Sequence, residues 1–282
     1  MRSVVLLAAT ISIVGLNGLA FSQSNKKANT GPGDYLSGLP KNLKLKEDGP
    51  QKYKVVCDYF NLDTLGNLTG KDRVAGEYIR AFPDGKVKWT NVTISHAKGF
   101  DDPFDAGNPQ TYMQDFSYPW ADHNAMFKEE FFKSFPANEP KTKNLVWDMY
   151  MVEQFAWDYF DKLELNQPYA IQSSPEDVPL AGTGTFQNRQ VVLTWIGVSK
   201  RNNEPCALIQ YHAFDNKFNT SMGTMTFQGR SHYWGEIWVS LKDKQVEYAT
   251  LYEDVLVQFT IPGQSGKQYL DVLRKGWFEK IQ

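Results

Sequence analysis

The stretch Asn144–Leu163, NLVWDMYMVEQFAWDYFDKL, constrains this chain more than any other. Leu145, Met149, Val152, Ala156, Tyr159, Phe160 and Leu163 recur at three- and four-residue steps, which makes one continuous helical face. Trp147, Met151 and Phe155 form a second stripe, roughly opposite the first. A helix apolar on two sides must be covered on two sides, or it leaves large rings in water. Strand-like sequence on either side of the stretch nominates a curved sheet as one cover and a loop layer as the other. Thr142 or Asn144 can cap the start, and Asn166 followed by Pro168 ends the helix. Glu153 breaks the pattern, because it falls between Met149, Ala156 and Phe160 on the main apolar face. A carboxylate there needs a cation, a donor or a proton. Two readings stand: a structural ion pair, or a polar group pointing into a pocket.

The chain opens with one Arg, a mostly apolar run from Ser3 to Leu19, and Ala20-Phe21-Ser22. That order reads as a signal peptide over 1–22, with cleavage before Gln23 or after Ala20. No cysteine lies near either point, so a lipid anchor is not expected, and no later stretch is long and apolar enough to span a bilayer. The expectation is export, to the periplasm or the cell exterior. Residues 23–51 are rich in Lys, Asn, Gly, Pro and Ser and read as a flexible leader. A net charge of −2 excludes a general electrostatic affinity for nucleic acid.

Residues 52–282 are expected to form one domain. Tyr53–Phe60, Ala75–Phe82 and Lys86–Ile94 read as strands, the last two joined at Pro83-Asp84-Gly85. Residues 99–143 interrupt them as an insertion that mixes Pro, Gly and Asp with Phe, Tyr and Trp. Within it Ala121–Phe135 carries Phe127, Phe131 and Phe135 at helical spacing, and this layer can cover the second stripe. After the long helix, short strands are expected at Tyr169–Ser173, Gly182–Phe186, Val191–Ser199, Ala207–Phe214, Met222–Phe227, Ser231–Leu241, Gln245–Tyr252 and Val255–Ile261. Leu270, Leu273, Trp277 and Phe278 then suggest a final helix over Gln268–Ile281. The class that follows is α+β: a curved antiparallel half-barrel wrapped around one long apolar helix, with a C-terminal helix.

Chemical motifs are sparse. His96, His123, His212 and His232 are not spaced as metal ligands, and Cys57 and Cys206 lack a second cysteine nearby, so no metal and no cofactor is expected. The two cysteines suit a disulfide or two buried thiols equally. Asp101, Asp102 and Asp105 read as a solvated acidic turn, with Pro103 where a calcium ligand would belong. Trp234, Glu236 and Trp238 share one face of a strand. With Glu153 this offers two carboxylates among tryptophans, as a glycosidase uses and as a sugar or lipid pocket uses. The competing reading turns that face outward and fills the core with Tyr233, Ile237, Val239 and Leu241.

Tyr233-Trp234-Gly235-Glu236-Ile237-Trp238-Val239-Ser240-Leu241, followed by Gln245-Val246-Glu247-Tyr248-Ala249, is similar to the late hairpin of periplasmic lipoprotein carriers of the LolA and LppX type. The resemblance spans Tyr53 to Ile261 as architecture; the 99–143 insertion and the missing lipid-attachment cysteine depart from it. It implies an exported, non-enzymatic protein binding an apolar small molecule or lipid between sheet and helix. The candidate walls are Trp147, Met151, Phe155, Trp157, Trp234 and Trp238, with Glu153 and Glu236 as polar groups. The alternatives are a structural or interaction protein with a partner in the cell envelope, and a hydrolase using the two glutamates.

Overall fold

The computed structural model describes residues 43–81, 84–122, 124–137, 139–171, 177–263 and 266–281. The expected signal peptide and most of the leader lie outside these residues, as do parts of the 83–85 turn and of the strand expected at 169–173. All described residues fall within one compact unit, 40–282.

That unit is mostly antiparallel sheet. The first three strands, β1 (Gln51–Leu62), β2 (Leu68–Ala81) and β3 (Lys86–Ala97), form a meander. The short β4 (Asn108–Pro109) and β5 (Phe116–Pro119) pair with β3. After α1 (Pro140–Trp157) come β6 (Pro168–Ala170), β7 (Val178–Pro179), β8 (Gly184–Phe186) and β9 (Val191–Arg201). Four long strands follow: β10 (Glu204–Met222), β11 (Met225–Ser240), β12 (Val246–Thr260) and β13 (Gln268–Ile281). The main sheet order is β4-β3-β2-β1-β13-β12-β11-β10-β8-β7, with β9 also on β10 and β6 on β9.

The expected class is therefore corrected. The sheet is open rather than closed into a barrel, and the segment expected as a C-terminal helix is a strand near its middle. β13 pairs with β1 on one edge and β12 on the other, so its backbone groups are satisfied across two ladders. Arg274, Gly276 and Phe278 are buried in alternation. The helical reading came from Leu270, Leu273, Trp277 and Phe278, of which only Phe278 is buried. The long strands also merge pairs of shorter ones expected separately: β12 runs straight through Glu253 and Asp254. β10 carries a bulge between Ala213 and Asn216, with Asp215 at φ 56°, which bends the strand without ending it.

α1 runs from Pro140, one turn earlier than expected, with the Glu139 side chain accepting from the Lys141 amide at 3.2 Å. It gives way after Trp157, and Phe160–Lys162 form a separate 3-10 turn. Leu145, Met149, Val152 and Ala156 are fully buried toward the sheet. Burial of this kind contributes about 1.5–3 kcal/mol per large side chain. The 99–143 segment covers another flank. There Phe132 meets Trp147 edge-on at 5.4 Å, and the Trp147 indole donates to the Met126 carbonyl at 3.2 Å. The short helix expected at Ala121–Phe135 is two 3-10 turns, Ala125–Phe127 and Glu129–Phe132. Residues at the end of the expected leader are docked: Leu43 is buried, and the Gln245 side chain donates to the Lys46 carbonyl at 2.6 Å.

Candidate functional site

Between α1 and the inner face of the long strands lies a cleft of about 860 Å³. Helix side chains Trp147, Met151 and Phe155 form one wall, and Phe218, Phe227, Val255, Val257 and Val272 form the floor. Leu180, just after β7, and Phe186 of β8 close a third side. The floor follows β12 from Leu251 to Val257, and six steps of about 3.3 Å give roughly 20 Å of length. Volumes of about 300–1,000 Å³ are usual for sites that enclose small ligands.

The deep part of the cleft holds a buried charge cluster. Arg274 of β13 forms ion pairs with Asp148 of α1 and Glu253 of β12, one through each terminal nitrogen. The Ser231 hydroxyl donates to Glu253. The Arg274 guanidinium lies 5.0 Å from the centre of the Tyr59 ring and 3.6 Å from the Cys57 sulfur. Burial pushes the Asp148 carboxyl from 3.8 up to about 6; Arg274 pulls it down, and Glu253 adds to the rise. The cluster sets two carboxylates around one guanidinium, whose Nε is buried without a hydrogen-bond partner among the described residues.

The residues nominated by sequence divide between three places. Trp147, Met151 and Phe155 line the cleft. Glu153 and Trp157 belong to a second buried network on another side of α1. There Glu153 accepts from Arg80 at 3.0 Å, from Tyr78 at 3.1 Å and from the Trp120 indole at 2.8 Å. Arg80 lies 4.2 Å from the Trp157 ring and 4.6 Å from the Trp120 ring, and Glu47 takes its far edge at 2.6 Å. Burial pushes Glu153 above the usual carboxylate range, opposed by Arg80 and the three donors. Trp234, Glu236 and Trp238 lie on the opposite face of the sheet, while Tyr233, Ile237 and Val239 fill the inner one. Trp234 there is 42% exposed and stacks on Tyr252 at 6.0 Å. Glu153 and Glu236 therefore do not share a cleft.

Sequence reasoning passed over Asp148, Glu253 and Arg274. Asp148 was legible on the helical wheel, since Leu145 and Val152 flank it on the buried face. Arg274 was legible only to a reader who took β13 as a strand. Among the described residues no group of three or more His, Cys, Asp or Glu is placed to hold a metal. Asp102 and Asp105 accept from the backbone amides of Gly99 and Gly107, at 2.7 and 2.9 Å, which makes that acidic segment a self-bonded turn. No described helix is long and apolar enough to cross a membrane.

No protein-family model and no curated protein sequence matches the chain. Among solved structures it is similar to one concerned with lipid–protein interactions in lipovitellin, at TM-score 0.39 and 12% identity. That match covers 85% of this chain, which spans 26% of the lipovitellin chain. It is also similar to an acetoacetate decarboxylase-like enzyme from Sphingomonas wittichii RW1, at TM-score 0.16 and 9% identity, covering 84% of this chain and 94% of that one. Both are weak, fold-level likenesses.

Proposed function

We propose that the protein is an exported carrier that binds an amphiphile with a long apolar chain in the cleft beside α1. The observation that carries this reading is a cleft of about 860 Å³ with aromatic and aliphatic walls, left open beside a closely packed core. Its length of roughly 20 Å exceeds the ~15 Å depth of one acyl layer, half of a ~30 Å hydrocarbon core. The charged groups at its deep end are paired with one another, Arg274 with Asp148 and Glu253, which lowers the cost of an apolar chain lying over them. Export rests on the N-terminal order of one basic residue, an apolar run and small residues.

Two measurements test the reading. Native mass spectrometry of protein purified without detergent is expected to show an added small-molecule mass that denaturation removes. Titration with the neutral dye N-phenyl-1-naphthylamine is expected to show one saturable site. Absence of both ends the proposal. A second reading, an interaction protein of the cell envelope, is favoured by the open sheet face, where Phe214, Trp234, Tyr252, Leu256 and Leu273 stand exposed. Protein that takes up no dye, yet loses self-association in sedimentation when Trp234 and Tyr252 are both changed to Lys, would favour it instead.

A further inference from the structure

The amino-terminal end of α1 is charged against expectation. A helix start carries partial positive charge and favours acids in its first turn. Here that turn contains Lys141 and Lys143 and no acid, and both lysines line the cleft. Lys141 is accounted for, with Asp72 at 3.6 Å and the capping Glu139 at 3.9 Å. Lys143 is not. Its residue is only 8% exposed, and no described residue forms a hydrogen bond or ion pair with its ammonium. Its one close neighbour of note is the Phe132 ring, 5.6 Å from the nitrogen to the ring centre. Burial pulls Lys143 below the usual lysine range, and Glu129 offsets part of that from beyond ion-pair contact. The stem is buried but the ammonium still reaches water at the edge of the cleft, so a charge stands there with no counter-ion, and the anionic group of a ligand can supply one.

We infer that the bound amphiphile is an acid, whose anionic head pairs with Lys143 at the start of α1 while its apolar chain lies along the β10–β13 floor. This rests on the carrier reading above and narrows it to one ligand class. A fatty-acid carboxylate and a lysophospholipid phosphate share the required chemistry. Asn124 and Asn144 line the same end of the cleft, where neutral parts of such a head can find polar groups.

The test displaces N-phenyl-1-naphthylamine from the purified protein with three probes of one chain length: oleate, 1-oleoyl lysophosphatidate and 1-oleoylglycerol. At least one acid is expected to bind about tenfold or more tighter than the neutral glyceride, since a charge-assisted contact is at stake. The acid that is preferred identifies the head as carboxylate or phosphate. In Lys143→Met the ratio of acid to neutral affinity should fall toward one. Equal affinities on the unaltered protein would overturn the inference without any variant, and so would an acid preference that survives Lys143→Met. If none of the three probes displaces the dye and the dye itself does not bind, it is the carrier reading that has failed.

Discussion

Asp148 and Arg274 meet in the buried floor of the cleft, tying the helix to the mid-sheet strand that joins β1 to β12. Arg274 also holds Glu253, so it is the single cation serving two acids. Removing one partner of a buried pair leaves a stranded charge and costs about 3–5 kcal/mol. Arg274→Met strands two, and urea unfolding at pH 7 is expected to show a loss at the upper end of that range.

The same contact makes stability depend on pH in a stated direction. The Asp148 carboxyl sits at about 6 in the folded chain against 3.8 in the ordinary state. The folded chain therefore holds a proton that the unfolded chain releases. Stability from this group rises as pH falls from 7 through 6 toward 4, by about 1–3 kcal/mol. Urea unfolding at pH 7 and pH 5 checks the sign, and the rise attributable to this group should be missing in Asp148→Asn.

Glu153 is expected to behave as a structural anion. It binds Arg80, Tyr78 and Trp120 and does not line the cleft. Glu153→Ala should cost about 3–5 kcal/mol in unfolding measurements. Dye affinity of the folded fraction should stay within about twofold, because the change removes no wall of the cleft. A large loss of affinity in protein that is still folded would argue against this assignment.

Two tryptophan experiments separate the faces of the sheet. Met151→Trp adds volume at the cleft wall and should weaken dye binding about tenfold or more. Trp234→Ser removes a ring from the outer face, where it is 42% exposed. It should shift stability by no more than about 0.5–1 kcal/mol and leave dye affinity alone.

Cys57 and Cys206 are both buried and unbridged, and burial pushes each thiol up to about 12. A thiol held that far from ionisation is a poor nucleophile. Ellman's reagent should find no reactive thiol in the native protein and two after guanidinium denaturation.

The local pattern of the chain was enough to specify a helix through Leu145, Met149, Val152 and Ala156 with that face covered, but not its end at Trp157, which leaves Tyr159, Phe160 and Leu163 outside it, nor that Met151 and Phe155 line an open cleft. Leu145, Met149 and Val152 recur at helical steps whatever surrounds them, and the aromatic 99–143 segment offered rings to fill the other flank. It was enough, too, to require a partner for Glu153, because the cost of a lone buried carboxylate is the same in any fold. Tertiary structure alone decided the rest. Gln268–Ile281 carries apolar spacing that suits a helix, and it is a strand because β1 and β12 offer it a ladder on each edge. Glu253 falls in the break between two expected strands, and it is the continuous strand Val246–Thr260 that sets Arg274 opposite it in the register. Asp148 and Arg274 are separated by 126 residues, and Arg80 and Glu153 by 73. Periodicity reports only the next few residues, whereas a cleft and its charges are made by segments that meet through the sheet.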